Sequence, residues 1–381
     1  MFLKEVLKMT NRLNKNETLE RIVKNMDITP TMYRNAEDKY KALAKYLGDN
    51  GLECDIYPQG SFSLGTVIKP LKEGKRKEYD LDFICVINNK GDLEAKKFRE
   101  KIWEILNQNE NYSKRIKEYD KCFTLEYSEI NGTGFNIDVL PAKPYINNFI
   151  LLTNKIDKEN VEWFKGNPKG YSEWFKSVND RYPQAQKINE FNNSLIAKES
   201  VEELPDYFDR TSLQRVIQIL KYHRDYFYHM RRKENKKVIS AIITTLCTKI
   251  AETTNFTQLN TIDLLTYITS ELCIYAQLLS RDNLDQRYTN RTVIKKTNCK
   301  WEIINPVNSE DNLADSWNED IEKPKLFFEW IEEIRKEFAI TNEKEYLSNF
   351  SNIFGKENLS DEMKSILGAS QIVEPMKPWR K

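Results

Sequence analysis

Gln59-Gly60-Ser61-Phe62-Ser63-Leu64-Gly65-Thr66, followed by Glu78-Tyr79-Asp80-Leu81-Asp82-Phe83-Ile84-Cys85-Val86-Ile87, is the stretch whose reading decides the fold. The first part is a small-residue turn able to bring backbone N–H groups of Gln59, Gly60 and Ser61 against a triphosphate. The second is a probable strand: alternation sends Leu81 and Phe83 to one face and Asp80 and Asp82 to the other, and Phe83 to Ile87 is rich in strand formers. Two carboxylates on one strand face can chelate a pair of cations bridging phosphates. Turn and acid pair together point to nucleotidyl transfer.

Such a site needs a third acid to orient or deprotonate the attacking hydroxyl. Asp138, in Gly134-Phe135-Asn136-Ile137-Asp138-Val139-Leu140-Pro141, is the candidate. It sits in the second arm of an expected hairpin: Phe123, Leu125 and Tyr127 alternate before Asn131-Gly132, and Phe135, Ile137 and Val139 after it. The span from Ser128 to Gly132 leaves the register of that hairpin open. A lone Asp-x-Asp is usually a solvated strand end, and a lone Gly-Ser turn says no more. The combination is harder to obtain from packing, which never asks for three carboxylates at the centres of strand-like segments, where desolvation penalises them.

On these residues the chain resembles the bacterial CD-NTases, cyclic oligonucleotide synthases related to animal cyclic GMP-AMP synthase and oligoadenylate synthetase. The resemblance implies an α/β (α+β) DNA polymerase beta-like nucleotidyltransferase core with a mixed sheet, a helical second lobe and a long N-terminal helix bracing both. It continues through Thr211–Asp225, where the match makes Lys221 a contact of the donor triphosphate, and through Lys236–Leu246, where it gives Ser240 the same role. A later similarity, Asn305-Pro306-Val307-Asn308 to Asn312-Leu313-Ala314-Asp315-Ser316-Trp317, carries no residue role. The loop with Lys69, Lys72, Lys75, Arg76 and Lys77 is longer than in compact polymerase-type motifs and fits the CD-NTases better than short antitoxin-type transferases.

The implied cofactor is Mg2+, two ions with Mn2+ able to substitute, held by Asp80, Asp82 and Asp138. The implied substrates are NTPs, and the implied role is anti-phage signalling of the CBASS type, in which a separate effector senses the cyclic product. Some relatives are conjugated through a C-terminal small residue; this chain departs from that pattern in ending Pro378-Trp379-Arg380-Lys381. Two rival readings remain open: a transferase making linear oligonucleotides or nucleotidylating a protein or RNA, and an inactive module sensing nucleotide or RNA.

Composition bounds the rest. With 381 residues and 40% apolar content the chain can bury a bilobal core or two domains. Net charge is +1, from 59 basic and 58 acidic residues, so no global attraction to nucleic acid or membrane follows. The cluster Arg215, Lys221, His223, Arg224, Arg231, Arg232 and Lys233 reads first as a solvated helix face, with an RNA or protein activator as the alternative. His223 and His229 read as packing or surface residues rather than acid–base catalysts. Six cysteines without C-x-x-C spacing read as reduced and mostly buried, not zinc ligands. Met1–Lys8 is charged too early for a signal peptide, and no apolar stretch approaches the roughly 20 residues of a membrane span, so the expected location is cytoplasmic.

The expected divisions are 1–52 as bracing helices, 53–145 as the catalytic core, 146–210 as an irregular crossover with short helices, and 211–381 as the helical lobe. Within the last, a polar connection is expected from Asp282 to Lys300.

Overall fold

Alternation along β2 builds the centre of the molecule, whose structure is a computed structural model. It describes residues 15–24, 27–52, 54–68, 79–87, 94–130, 133–183, 210–254, 257–285, 293–356, 359 and 361–368. The N-terminal residues 1–8, the basic loop 69–78, the Asn131-Gly132 turn and the terminal Pro378–Lys381 lie outside the described residues.

Two helices precede the sheet, α1 (Lys15–Lys24) and α2 (Pro30–Asp49). Thr29 caps α2 by accepting from the Met32 N–H, and Pro30 at its first turn is preset for a helix. Strands β1 (Cys54–Pro58) and β2 (Tyr79–Ile87) are antiparallel, with the one-turn helix α3 (Gly60–Ser63) between them. After α4 (Ala95–Asn107) come β3 (Ile116–Glu118), β4 (Phe123–Ile130) and β5 (Thr133–Pro144). The order β1-β2-β5-β4-β3 makes the sheet mixed, because β2 and β5 run parallel while β4 and β5 form a hairpin. Leu81, Phe83, Cys85 and Ile87 face Met32, Ala36, Tyr40, Leu43 and Leu47 of α2 and Phe98, Ile102 and Leu106 of α4 in one core. The acids are thereby turned to the opposite face.

Of the segment expected to be an irregular crossover, residues 184–209 lie outside the described residues, and the described part, 146–183, is largely regular. Strands β6 (Ile150–Lys155) and β7 (Val161–Gly166) extend the same sheet from β5, and α5 (Pro168–Asn179) follows, capped by Asn167. The turn between the two strands is closed by Asp157, whose carboxylate accepts from the N–H groups of Glu159 and Asn160. Polar residues and Trp163, Gly166 and Pro168 masked short strands that need only Ile150, Leu152 and Phe164 facing a small apolar cluster with Ile84 and Ala142.

The second lobe is wound around α6 (Ser212–Met230), opened by a reciprocal capping box between Thr211 and Gln214. Around it lie α7 (Ser240–Thr253), α8 (Thr261–Ile274), α9 (Glu322–Ala339), α10 (Glu343–Phe354) and α11 (Asp361–Gly368). The expected polar connection before Lys300 ends in an antiparallel pair, β8 (Lys295–Thr297) with β9 (Lys300–Glu302). A second pair, β10 (Ile304–Asn305) with β11 (Asn308–Asn312), gives the late Asn-rich motif its place. There Asn308 donates to the Lys165 carbonyl at 3.1 Å and Glu310 pairs with Lys165 at 2.9 Å, which bolts this hairpin to β7.

Because α6 is enclosed from Ser212 to Arg224, the basic cluster divides: its first four members are internal, whereas Arg231 and Arg232 past the helix end are exposed, as a solvated face would be. Arg215, Lys221, His223 and Arg224 are all buried, each with an internal partner. His223 accepts from the Trp330 indole at 2.9 Å and reaches Glu337 at 2.5 Å, so it is a packing residue. Arg231 and Lys233 form ion pairs with Glu333 and Glu322.

N-terminal bracing is divided between two helices rather than carried by one. Leu19, Ile22 and Val23 of α1 belong to the second lobe's core, whereas α2 belongs to the sheet's. At the break, both Asp27 oxygens accept from Arg215 at 2.8 Å, and Gln218 donates to the same carboxylate at 2.9 Å. Removing one partner of a buried ion pair strands the other charge. Arg215→Ala is therefore expected to cost about 3–5 kcal/mol, read as a lower urea midpoint with unchanged slope.

Candidate active site

The parallel register of β2 and β5 sets Asp82 beside Asp138, and Asp80 beside Asn136, on the face away from the α2–α4 core. Asn136 donates to Asp80 Oδ1 at 3.1 Å, and Thr124 on β4, directly opposite Asp138, donates to Asp138 Oδ1 at 2.5 Å. The three acids singled out in the sequence thus share one face of neighbouring strands.

The small-residue turn abuts them. The Gln59 N–H donates to the Asp82 carbonyl at 2.9 Å, which continues the strand pairing to the edge of α3. Gly60 has φ +65°, and a Cβ there would stand 2.3 Å from Asp82 Oδ2. Only glycine combines left-handed backbone with that contact. Phe62 anchors the turn by packing against Tyr33 and Tyr79, and Ser61 accepts from the Thr66 N–H at 2.8 Å.

From the other side α6 grips the same turn. Gln214 donates to the Leu64 carbonyl at 2.9 Å and Gln218 to the Val67 carbonyl at 2.7 Å. Lys221 donates to Thr66 Oγ1 at 2.9 Å and to its carbonyl at 3.3 Å. Ser240 opens α7, where its hydroxyl accepts from Arg224 at 2.9 Å; Arg224 also holds the Val238 carbonyl, and Lys237 pairs with Asp225 at 3.0 Å. Lys221 and Ser240 are thus joined through α6 rather than directly.

Sequence reasoning missed Thr124, Asn136, Thr66, Gln214, Gln218 and Arg224. The spacing of Gln214, Gln218 and Lys221 carried a signal, since it aligns three polar residues on one face of a largely apolar helix.

The electrostatics follow from crowding. Burial, and then the neighbouring Asp138 and Asp80, push Asp82 up to about 7, with Lys221 opposing. Burial raises Asp138 to about 6; the Thr124 hydroxyl works against that and Asp80 with it. Burial, reinforced by Arg224, lowers Lys221 to about 7, while Asp82 and Asp225 oppose. A face of mutually repelling carboxylates suits cations that offset their charge.

Residues 13–179 match the family of the Second Messenger Oligonucleotide or Dinucleotide Synthetase domain. A c-di-GMP synthase of Roseivirga ehrenbergii is 28% identical over 321 residues, covering 83% of this chain and 75% of that protein. By these matches the chain is similar to the bacterial CD-NTases. Solved structures of the same fold include CdnG of Bradyrhizobium diazoefficiens in complex with GTP, at TM-score 0.67 and 15% identity over 93% of this chain and 97% of that one. The Vibrio cholerae DncV structure in its 3′-deoxy GTP bound form aligns at TM-score 0.55 and 14% identity over 81% of this chain and 70% of that one. The matched segment, residues 13–179, is therefore similar to second-messenger oligonucleotide synthetase domains, and the solved structures share the fold of the chain. Among the described residues no helix is long and apolar enough to cross a membrane.

The acid face fits a divalent cation in chemistry: hard oxygen donors with raised affinity for positive charge. Among the described residues no three such side chains are already drawn into a cage, and Thr124 and Asn136 hold Asp138 and Asp80 by one oxygen each. The free cysteines, at 54, 85, 122, 247, 273 and 299, form no disulfide.

Two predictions follow from this geometry. Raised carboxyls stabilise the fold fully below their unfolded values, and that stability is lost as pH rises through the folded ones. A lowered lysine acts in the opposite sense, so stability rises with pH between about 7 and its unfolded value. Metal-free protein should lose melting temperature from pH 5 to 7, with Asp82→Asn flattening that fall and Lys221→Met flattening the recovery from pH 7 to 9. Calorimetry across pH reads both limbs. Gly60→Ala should cost about 1–2 kcal/mol in backbone strain and, by displacing Asp82, should lower turnover far more than that loss of stability accounts for.

Proposed function

We propose that this chain is a CD-NTase that joins NTPs and closes them into a cyclic di- or trinucleotide, releasing pyrophosphate, as a second messenger of CBASS-type anti-phage defence read by a separate effector. The observation that carries the reading is the row of Asp82 and Asp138 on adjacent parallel strands, with Asp80 one step along the same face and the Gly60-Ser61 turn against Asp82.

In this reading Gln59, Gly60 and Ser61 receive the donor phosphates, and Lys221 and Ser240 hold them from the second lobe. An ammonium has three N–H donors; the two bonds to Thr66 leave Lys221 one for a phosphate oxygen. Asp138 takes the proton of the acceptor ribose hydroxyl as its oxygen attacks the α-phosphorus in line. The bond from the α-phosphorus to the bridging oxygen breaks, and pyrophosphate leaves. Bound Mg2+, with Mn2+ as substitute, held by Asp80, Asp82 and Asp138, would supply charge compensation for the phosphates. A second round within the linear intermediate closes the ring, and positioning does most of the work. The c-di-GMP synthase of Roseivirga ehrenbergii makes GTP the first substrate to test.

The test incubates purified protein with all four NTPs and Mg2+, labelling each α-phosphate in turn, followed by phosphatase and mass spectrometry. A phosphatase-resistant product that disappears in Asp80→Ala/Asp82→Ala is the expected result. Label that remains phosphatase-sensitive, or that is bound to a macromolecule, would replace cyclisation with linear or target-directed transfer. Nucleotide binding without turnover under Mg2+ and Mn2+ would leave a sensing module.

A further inference from the structure

Asp138 is the middle member of a cross-strand row, Thr124–Asp138–Asp82, with β4 antiparallel on one side and β2 parallel on the other. Its two neighbours act in opposite senses. Asp82 carries like charge, whereas Thr124 offers a hydroxyl that reaches Asp138 Oδ1 at 2.5 Å, within the range of charge-assisted O–H···O bonds.

We propose that Thr124 is a positioning residue for the acceptor side of the reaction: it holds one oxygen of Asp138 against β4 so that the other is presented to the acceptor ribose hydroxyl. The inference rests on the reading above that Asp138 receives the acceptor proton.

Three features make Thr124 suited to the task. It is 6% exposed, so water does not compete for its single hydroxyl hydrogen. Its β-branched side chain is stiff about χ1, whereas the terminal torsion of an aspartate is broad; the threonine therefore supplies the angular restraint that the carboxylate lacks. Cys122 Sγ stands 3.8 Å from the same hydroxyl oxygen. With the threonine hydrogen committed to Asp138, the thiol is the donor of that contact, and burial together with the Asp138 charge keeps the thiol protonated, pushed up to about 12. The polarity of the chain Cys122 to Thr124 to Asp138 is thus set in one direction.

The experiment compares Thr124→Val, which keeps the shape and removes the hydroxyl, with Thr124→Ser, which restores it. Thr124→Val should lower kcat by about 10- to 100-fold while the KM for NTP, the melting temperature and the affinity for Mn2+ alone, measured by titration calorimetry, change little. Thr124→Ser should recover most of the rate. The proposal is overturned if Thr124→Val turns over like the unmodified protein, if serine fails to recover the rate, or if the loss follows the melting temperature or Mn2+ affinity. Asp138→Asn separates the two levels: inactivity there beside a fully active Thr124→Val removes only the positioning role, whereas full activity of Asp138→Asn removes the reading of Asp138 itself.

Discussion

Three side chains on one face of α6 hold the two halves of the catalytic apparatus together. Gln214, Gln218 and Lys221 all donate into the short segment Leu64–Val67 that follows the Gly60-Ser61 turn. The apolar cores of the sheet and of the helical lobe form two separate clusters, and this segment gives Val67 to the first and Leu64 to the second, so the hydrogen bonds lie beside an apolar seam. Buried amide and ammonium donors left without acceptors are costly, and paired ones are directional. Hydrophobic burial forms each lobe, but these hydrogen bonds set how the Gly60-Ser61 turn is presented to the acids. Asp27 adds a second anchor to the same helix, where Arg215 and Gln218 meet the N-terminal segment.

The site carries charges that its own burial opposes. Asp82 and Asp138 are raised and Lys221 is lowered, each chiefly by desolvation. Such a surface is less favourable to the empty fold than neutral side chains would be, and in the reading proposed above it gains by admitting cations and a polyphosphate. That imbalance separates Asp82 from Asp27: both are buried acids, but Asp27 is matched by a guanidinium within the fold.

The parts of the fold legible in the sequence were those governed by period. The alternation of Leu81 and Phe83 with Asp80 and Asp82, and of Ile137 and Val139 with Asp138, is a local property that survives without knowledge of neighbours. So are the helices read from about Thr18 to Asn50, with Pro30 reopening the second and Tyr40, Leu43 and Leu47 spaced along its face. What depends on neighbours was not legible. Thr124 matters because β4 pairs with β5 in one particular register, and Arg215, Lys221 and Arg224 are buried because α6 is surrounded, which its own sequence cannot announce. Strands β6 and β7 were obscured by their shortness and by the Trp, Gly and Pro residues around them. Lys221 and Ser240 were singled out by resemblance; the structure ties them to Thr66 and Arg224.

Position 60 illustrates how two constraints can close a route of sequence drift that either one alone would leave open. Left-handed backbone by itself admits asparagine or aspartate as well as glycine. Here the first carbon of any side chain would already meet the Asp82 carboxylate, so the usual substitutes are excluded before their polar groups come into play. A shorter residue at position 82 would relieve that contact only by removing the carboxylate that the cleft presents. The turn and the acid consequently cannot change independently, and a lineage keeping one is held to the other.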